Sequence, residues 1–186
     1  MEHTFEELLV KQCAPTLAGI KAGSLFCFGT PEQARRQACQ WHARLAPLGL
    51  AVTVLLERHS SQRSIVYVYR PRELERLLES DECRAFLARC GYHITGVEGM
   101  LHQLSHRLRI EREFPHEIGI FLGYPLQDVV GFIENRGQNF TCCGLWKAYG
   151  DPIAAQKCFD CCKKCIACYT QMFGCGVPIE KMALPA

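Results

Sequence analysis

The 186-residue sequence has no apolar run long enough to span a bilayer, which excludes a helical membrane protein. It opens Met1-Glu2-His3-Thr4, without the basic start of a secretory leader, so export is not expected. Charge of one sign is also lacking. Twenty-one basic and 19 acidic residues leave a formal charge of +2, no broad electrostatic reason to bind nucleic acid or an anionic membrane. No internal repeat is evident. Apolar residues, by contrast, are plentiful: 48% hydrophobic against 22% charged supplies a core and excludes disordered and collagen-like chains. The length fits one globular domain over 1–186.

What the chain has in excess is cysteine. Thirteen is odd, so complete internal pairing is impossible, and without an export signal a reducing cytoplasm is the expected compartment. Five of them, Cys158, Cys161, Cys162, Cys165 and Cys168, fall within eleven residues. Such density is easier to tolerate where oxygen is scarce. All 14 arginines lie between Arg35 and Arg136 and every lysine lies outside that window. Acids are interleaved with the arginines, which favours a solvated, salt-bridged helical surface over an anion-binding one.

Thr4 to Lys11 reads as a first helix with Thr4 as N-cap, stopping near Cys13-Ala14-Pro15. Ser24 to Phe28 reads as a buried strand. Thr30-Pro31-Glu32 opens a helix to about Ala46. Ala51–Leu56 and Ser64–Tyr69 are the clearest strands, and the polar link Glu57 to Arg63 suggests a hairpin. Helices follow over Pro71–Glu79, Glu82–Cys90, Gly96–Arg109 and Leu126–Asn135. A last strand is expected at Leu145–Tyr149, then a long helix from Asp151-Pro152 to about Phe173. The order predicts a mixed α/β (α+β) domain with a small mixed sheet of about 3–5 strands, one parallel crossover, one hairpin and a long C-terminal helix.

The cysteines of that last helix form three overlapping C-x-x-C units, but Cys158 and Cys168 would stand ~15 Å apart along its axis. One metal ion cannot collect them all, and the ferredoxin spacing from Cys162 meets Met172 where its fourth ligand should be. On a helical wheel Cys158, Cys161, Cys162 and Cys165 share a face with Ala154, Ala155, Tyr169 and Met172, opposite Lys163, Lys164, Asp160 and Gln171. An amphipathic helix with a sulfur-rich core stripe explains this best. Cys161 and Cys165, with His102 and His106 at helical i, i+4 spacing, are the weak metal candidates, and Cys142-Cys143 could complete such a site in space. No metal is expected, and no cofactor is identified.

Two stretches are harder to explain by packing. Cys13-Ala14-Pro15-Thr16-Leu17-Ala18-Gly19-Ile20-Lys21 puts a thiol, a hydroxyl and an ammonium at a helix-to-strand junction, where the backbone N–H groups of a short turn capped by Thr16, with Lys21, would attract an anion. Phe114-Pro115-His116-Glu117-Ile118-Gly119-Ile120-Phe121-Leu122-Gly123-Tyr124-Pro125, with Asp128 one turn on, fits a tightly turned buried loop. Glu117 or Asp128 could orient His116 as a general base, and a hydrogen-bonded structural histidine explains the pattern equally well.

With Gly131-Phe132-Ile133 and Trp146-Lys147-Ala148-Tyr149, these stretches make the chain resemble an uncharacterised bacterial family, domain of unknown function 3793, found mainly in anaerobic Firmicutes. The likeness runs from the first stretch to the last helix. It implies weight for Cys13, Pro15, Thr16, Lys21, His116, Glu117, Gly119, Gly123, Tyr124, Asp128, Lys147 and Tyr149, and matches Lys163, Lys164 and Cys165 in the last helix. The remaining cysteines of that helix are this sequence's own.

The leading expectation is a cytoplasmic small-molecule-binding protein or thiol-dependent enzyme, with one pocket built from both stretches. Cys13, His116 and Glu117 are its candidate catalytic groups. Thr16, Lys21, Tyr124, Asp128, Lys147 and Tyr149 are its candidate binding groups, and a small anion is the expected ligand. A cysteine/histidine metal or redox protein and a non-catalytic regulatory protein are the alternatives. Oligomeric state is not legible.

Overall fold

In the computed structural model, which describes residues 3–58, 63–110 and 114–185, Thr4 opens α1 (Phe5–Leu17) through a capping box. The Thr4 hydroxyl accepts from Glu7 N, and the Glu7 carboxylate accepts from Thr4 N. The helix does not stop before Pro15 but carries it in its last turn. A proline there forfeits one backbone hydrogen bond, whereas the two further residues Thr16 and Leu17 are fully buried, so packing decides the boundary.

After α1 come β1 (Gly23–Phe28), α2 (Pro31–Leu45), a single 3₁₀ turn at Ala46–Leu48, β2 (Ala51–Leu56) and β3 (Ser64–Tyr69). Thr30 and Gln33 form a second capping box, with Pro31 at the first helical position. β2 and β3 pair antiparallel as the expected hairpin, and part of its link, residues 59–62, falls outside the described residues. The strand order is β1-β3-β2. β1 and β2, joined through α2, run the same way but do not touch, because β3 lies between them and pairs antiparallel with both. The crossover is thus split rather than paired.

β3 is the central strand, and all six of its residues are buried. Side chains alternate across a strand. Val66 and Val68 enter one core with Leu9 and Cys13 of α1 and Trp41 of α2, while Ile65, Tyr67 and Tyr69 enter another. Each fully buried aliphatic side chain here contributes about 1.5–3 kcal/mol. The second core is covered by α3 (Pro71–Glu79), α4 (Asp81–Arg89), α5 (Val97–Ile110), the one-turn α6 (Ile118–Phe121) and α7 (Leu126–Glu134).

The expected strand at Leu145–Tyr149 shrinks to β5 (Lys147–Ala148). It pairs with β4 (Cys142–Cys143) in a separate two-stranded antiparallel sheet. Asp151 then caps α8 (Pro152–Gly174), accepting from Ile153 N at 2.9 Å, and α9 (Ile179–Met182) follows. α8 buries Phe159, Cys162 and Tyr169. Cys161 and Ala154 are exposed, so the sulfur-bearing face only partly coincides with the packed one. No described helix is long and apolar enough to cross a membrane.

Arg70, at the end of β3, is only 2% exposed and has become a clasp. Its Nε donates to the Thr16 carbonyl and its Nη2 to those of Leu17 and Leu184, each at 2.7 Å. Of the carbonyls left open by the end of α1, those of Thr16 and Leu17 accept from this one guanidinium, while those of Ala14 and Pro15 accept from the backbone N–H groups of Ala18, Ile20 and Lys21.

Candidate functional site

Gly123 has φ +76°, and its backbone packs so closely on Ala22 that a Cβ would stand 3.0 Å from the Ala22 nitrogen. That turn directs Tyr124 toward the β4–β5 hairpin, where its ring stacks on Trp146 at 4.6 Å. Trp146 in turn meets Phe159 of α8 edge-on at 4.6 Å. Gly131 on α7 leaves room for the Tyr149 ring, which a Cβ there would overlap.

Asp128 holds the hairpin in place. Its carboxylate is 4% exposed and accepts from Trp146 Nε1 at 2.8 Å, Tyr149 N at 2.7 Å and Gly150 N at 3.2 Å. Both oxygens are committed to these donors, and Asp128 positions Trp146 rather than His116.

Between α6–α7 and the hairpin lies a cavity of about 420 Å³. Leu122, Val129 and Phe132 supply its apolar wall, and Tyr124 and Trp146 an aromatic one. The exposed His116 packs edge-on against Phe132 at 4.8 Å. Lys147 Nζ stands 5.9 Å from the same ring and 5.2 Å from that of Phe140, and it donates to the Gly137 carbonyl at 2.7 Å. A histidine and a lysine therefore flank one aromatic ring of a mostly apolar recess, whose wall also carries the hydrogen-bonded Asp128.

Four of the sequence-selected residues, His116, Tyr124, Asp128 and Lys147, line this cavity. Tyr149 joins it through its backbone bond to Asp128, while its buried hydroxyl has no partner among the described residues. Others go elsewhere. Glu117, 5% exposed, accepts from Arg107 Nε at 2.8 Å and the Tyr92 hydroxyl at 3.1 Å, so its carboxylate is committed to α5 and the loop before it. Thr16 hydrogen-bonds Ser24 at 2.9 Å inside the protein. Cys13 is fully buried in the core on the opposite face of the three-stranded sheet from the one that carries α6 and α7, and burial pushes its thiol up. The structure does not bring Cys13 and His116 together.

Lys21 bridges the two stretches. Its Nζ lies 4.9 Å from the centroid of the Tyr124 ring, near the thiols of Cys162, Cys13 and Cys158. Burial lowers its pKa and raises that of Tyr124. His102 and His106 are exposed on α5. Among the described residues, no three of histidine, cysteine, aspartate and glutamate converge where they could hold a metal ion. Trp146 and Phe132 are the cavity residues that motif reading undervalued; the signal was an aromatic pair set in glycine-broken sequence after α6.

A family model described as protein of unknown function (DUF3793) matches residues 9–183. No curated protein and no solved structure matches the chain.

Proposed function

The chain belongs to the DUF3793 family, and we propose that within it this protein binds a small molecule with a flat apolar body and one anionic group. The observation that carries this reading is the cavity of about 420 Å³ with an aromatic wall of Tyr124 and Trp146 and with His116 and Lys147 flanking Phe132. Its volume suits a small organic ligand, and apolar lining with few convergent polar groups is the usual make-up of such sites. The ring of the ligand would lie against Trp146, and its anion would meet Lys147 and His116. Chemistry at Cys13 is disfavoured, since a thiol kept protonated inside a core is neither accessible nor nucleophilic.

The test is titration with 8-anilinonaphthalene-1-sulfonate, an aromatic anion, read by its own emission and by quenching of Trp146. One molecule should bind per chain. Lys147→Met should weaken binding about tenfold, the loss of one charge-assisted contact, with the thermal midpoint held within a few degrees. Binding of several molecules, or binding indifferent to both Lys147→Met and Trp146→Phe, would reject the site.

A further inference from the structure

β2 is an edge strand, since β3 lies between it and β1. It is held between two helix layers: Val52 turns to the core that contains Trp41 of α2, and Ala51 and Leu55 turn to the core that contains Leu101 of α5. Its outer side floors two adjoining clefts of about 580 and 590 Å³, which share His42, Ala51, Tyr69 and Glu98. In an antiparallel strand the backbone groups of alternate residues leave on opposite sides. Arg70 N donates to the carbonyl of Ala22, on the β1 side, so Tyr67 and Tyr69 face β2, and their register partners Thr53 and Ala51 face back toward them. Val52 and Val54 therefore present their N–H and C=O groups to the clefts. Two side chains plug the ends of this row: Val52 N donates to His42 Nδ1 at 3.2 Å, and Ser105 Oγ donates to the Leu55 carbonyl at 2.6 Å. Between the plugs, Val52 O, Val54 N and Val54 O have no partner among the described residues.

We propose that this edge binds an extended peptide, added to β2 as a parallel fourth strand of the sheet, with a basic side chain before the paired segment and an acidic one after it. The three open backbone groups set the direction. A parallel neighbour bridges an acceptor and a donor two positions apart with one of its residues. The peptide residue beside Thr53 donates to Val52 O and accepts from Val54 N, and the residue two further on donates to Val54 O. All three groups are used, and neither group held by His42 or Ser105 is needed. An antiparallel neighbour instead exchanges both bonds with a single residue, so pairing with Val52 requires the N–H that His42 occupies. A second copy of this chain, joined β2 to β2 about a two-fold axis, is antiparallel and meets the same obstacle.

Charge gives the same direction independently. α5 runs alongside β2. Glu98, in its first turn, lies with Glu75 of α3 in the cleft at Ala51, and neither glutamate has an ion-pair partner among the described residues. Arg109, in its last turn, donates to Ser105 Oγ at 2.9 Å and so stands at the Leu55 end. A parallel peptide brings its N-terminal side to the glutamates and its C-terminal side to the arginine. Five residues beside Ala51 to Leu55 span ~13 Å at about 3.3 Å each, close to the ~16 Å that separates Glu98 from Arg109 along the helix. Side chains alternate, so the first, third and fifth of the five face α5, and the second and fourth rest beside Val52 and Val54 on the side of α2.

The probe is the blocked peptide acetyl-Lys-Val-Thr-Val-Asp-amide, titrated into the isotope-labelled full chain and followed by NMR. One peptide should bind per chain, with the Val54 amide newly protected from exchange. N-methylation of the peptide threonine deletes the donor to Val52 O and should weaken binding about tenfold. N-methylation of the valine before it, whose N–H points away from β2, should be tolerated. The reversed peptide, acetyl-Asp-Val-Thr-Val-Lys-amide, should bind about tenfold more weakly than the forward one. Glu98→Lys combined with Arg109→Glu should turn that preference round; both side chains are exposed, so the exchange spares the fold, which circular dichroism checks. The proposal is overturned by any of four results: no binding at about 1 mM peptide, equal binding of the peptide methylated at threonine, indifference to the reversal, or signal changes confined to the cavity at Trp146.

Discussion

Lys21 is the residue whose environment conflicts most with its chemistry. Its amine is half-buried over the Tyr124 ring, with no carboxylate partner among the described residues, and burial lowers its pKa below the usual 10.5. The folded form thus binds the proton less well than the unfolded chain does. The ammonium costs stability at neutral pH, and that cost is relieved as pH rises toward 10.5. The buried thiols act in the opposite sense. Cys162 and Cys165 are pushed up to about 11 from 9.0, so their contribution is complete below pH 9 and is lost as pH climbs through 11. Lys21→Met keeps the apolar stem and removes the charge. Its urea midpoint at pH 7.5 should exceed that of the parent, and its stability should fall more steeply between pH 9 and 11. A lower midpoint at pH 7.5 would mean that the cation–ring contact, about 0.5–2 kcal/mol from exposed to desolvated sites, outweighs desolvation.

Among the elements, α1 depends on a residue more than fifty positions away. Arg70 donates to three carbonyls, two of them at the end of that helix. Arg70→Ala should cost about 3 kcal/mol of unfolding free energy by urea denaturation, since several buried acceptors lose a charged donor together. Arg70→Lys should recover only part, because an ammonium lacks the planar fork that reaches them at once. This clasp was invisible in the sequence, where Arg70 is one of 14 arginines. Local order was more legible. Ala51–Leu56, Ser64–Tyr69 and Pro71–Glu79 have the same bounds in the sequence pattern and in the structure, because β-branched runs and a leading proline mark them locally. Strand order is not local. That β3 rather than β2 neighbours β1 follows from burial on both of its faces, and β4 and β5, two residues each, are too short to show any periodicity.

At the scale of the molecule, two cores meet across one three-stranded sheet, and the face on which a motif lands decides its role. His116, Tyr124, Asp128 and Lys147 converge because α6, α7 and the small hairpin share one side, whereas Cys13 belongs to the other. Spacing along a chain carries no information about sheet face, so one half of the expected pocket was legible and the other was a separate structural element. The hairpin's attachment is itself testable. Asp128→Ala removes the acceptor of three hydrogen bonds, and hydrogen exchange should quicken across residues 142–150 while β3 keeps its protection. Uniform acceleration throughout the chain would show that the hairpin unfolds only with the whole. The Arg70 clasp has a further consequence, for synthesis. It joins the Leu17 carbonyl to that of Leu184, and Leu184 N donates back to Leu17 O. On the ribosome α1 therefore waits, unsealed, until α8 and α9 have emerged, and the nascent protein needs shelter for the apolar surface of that helix.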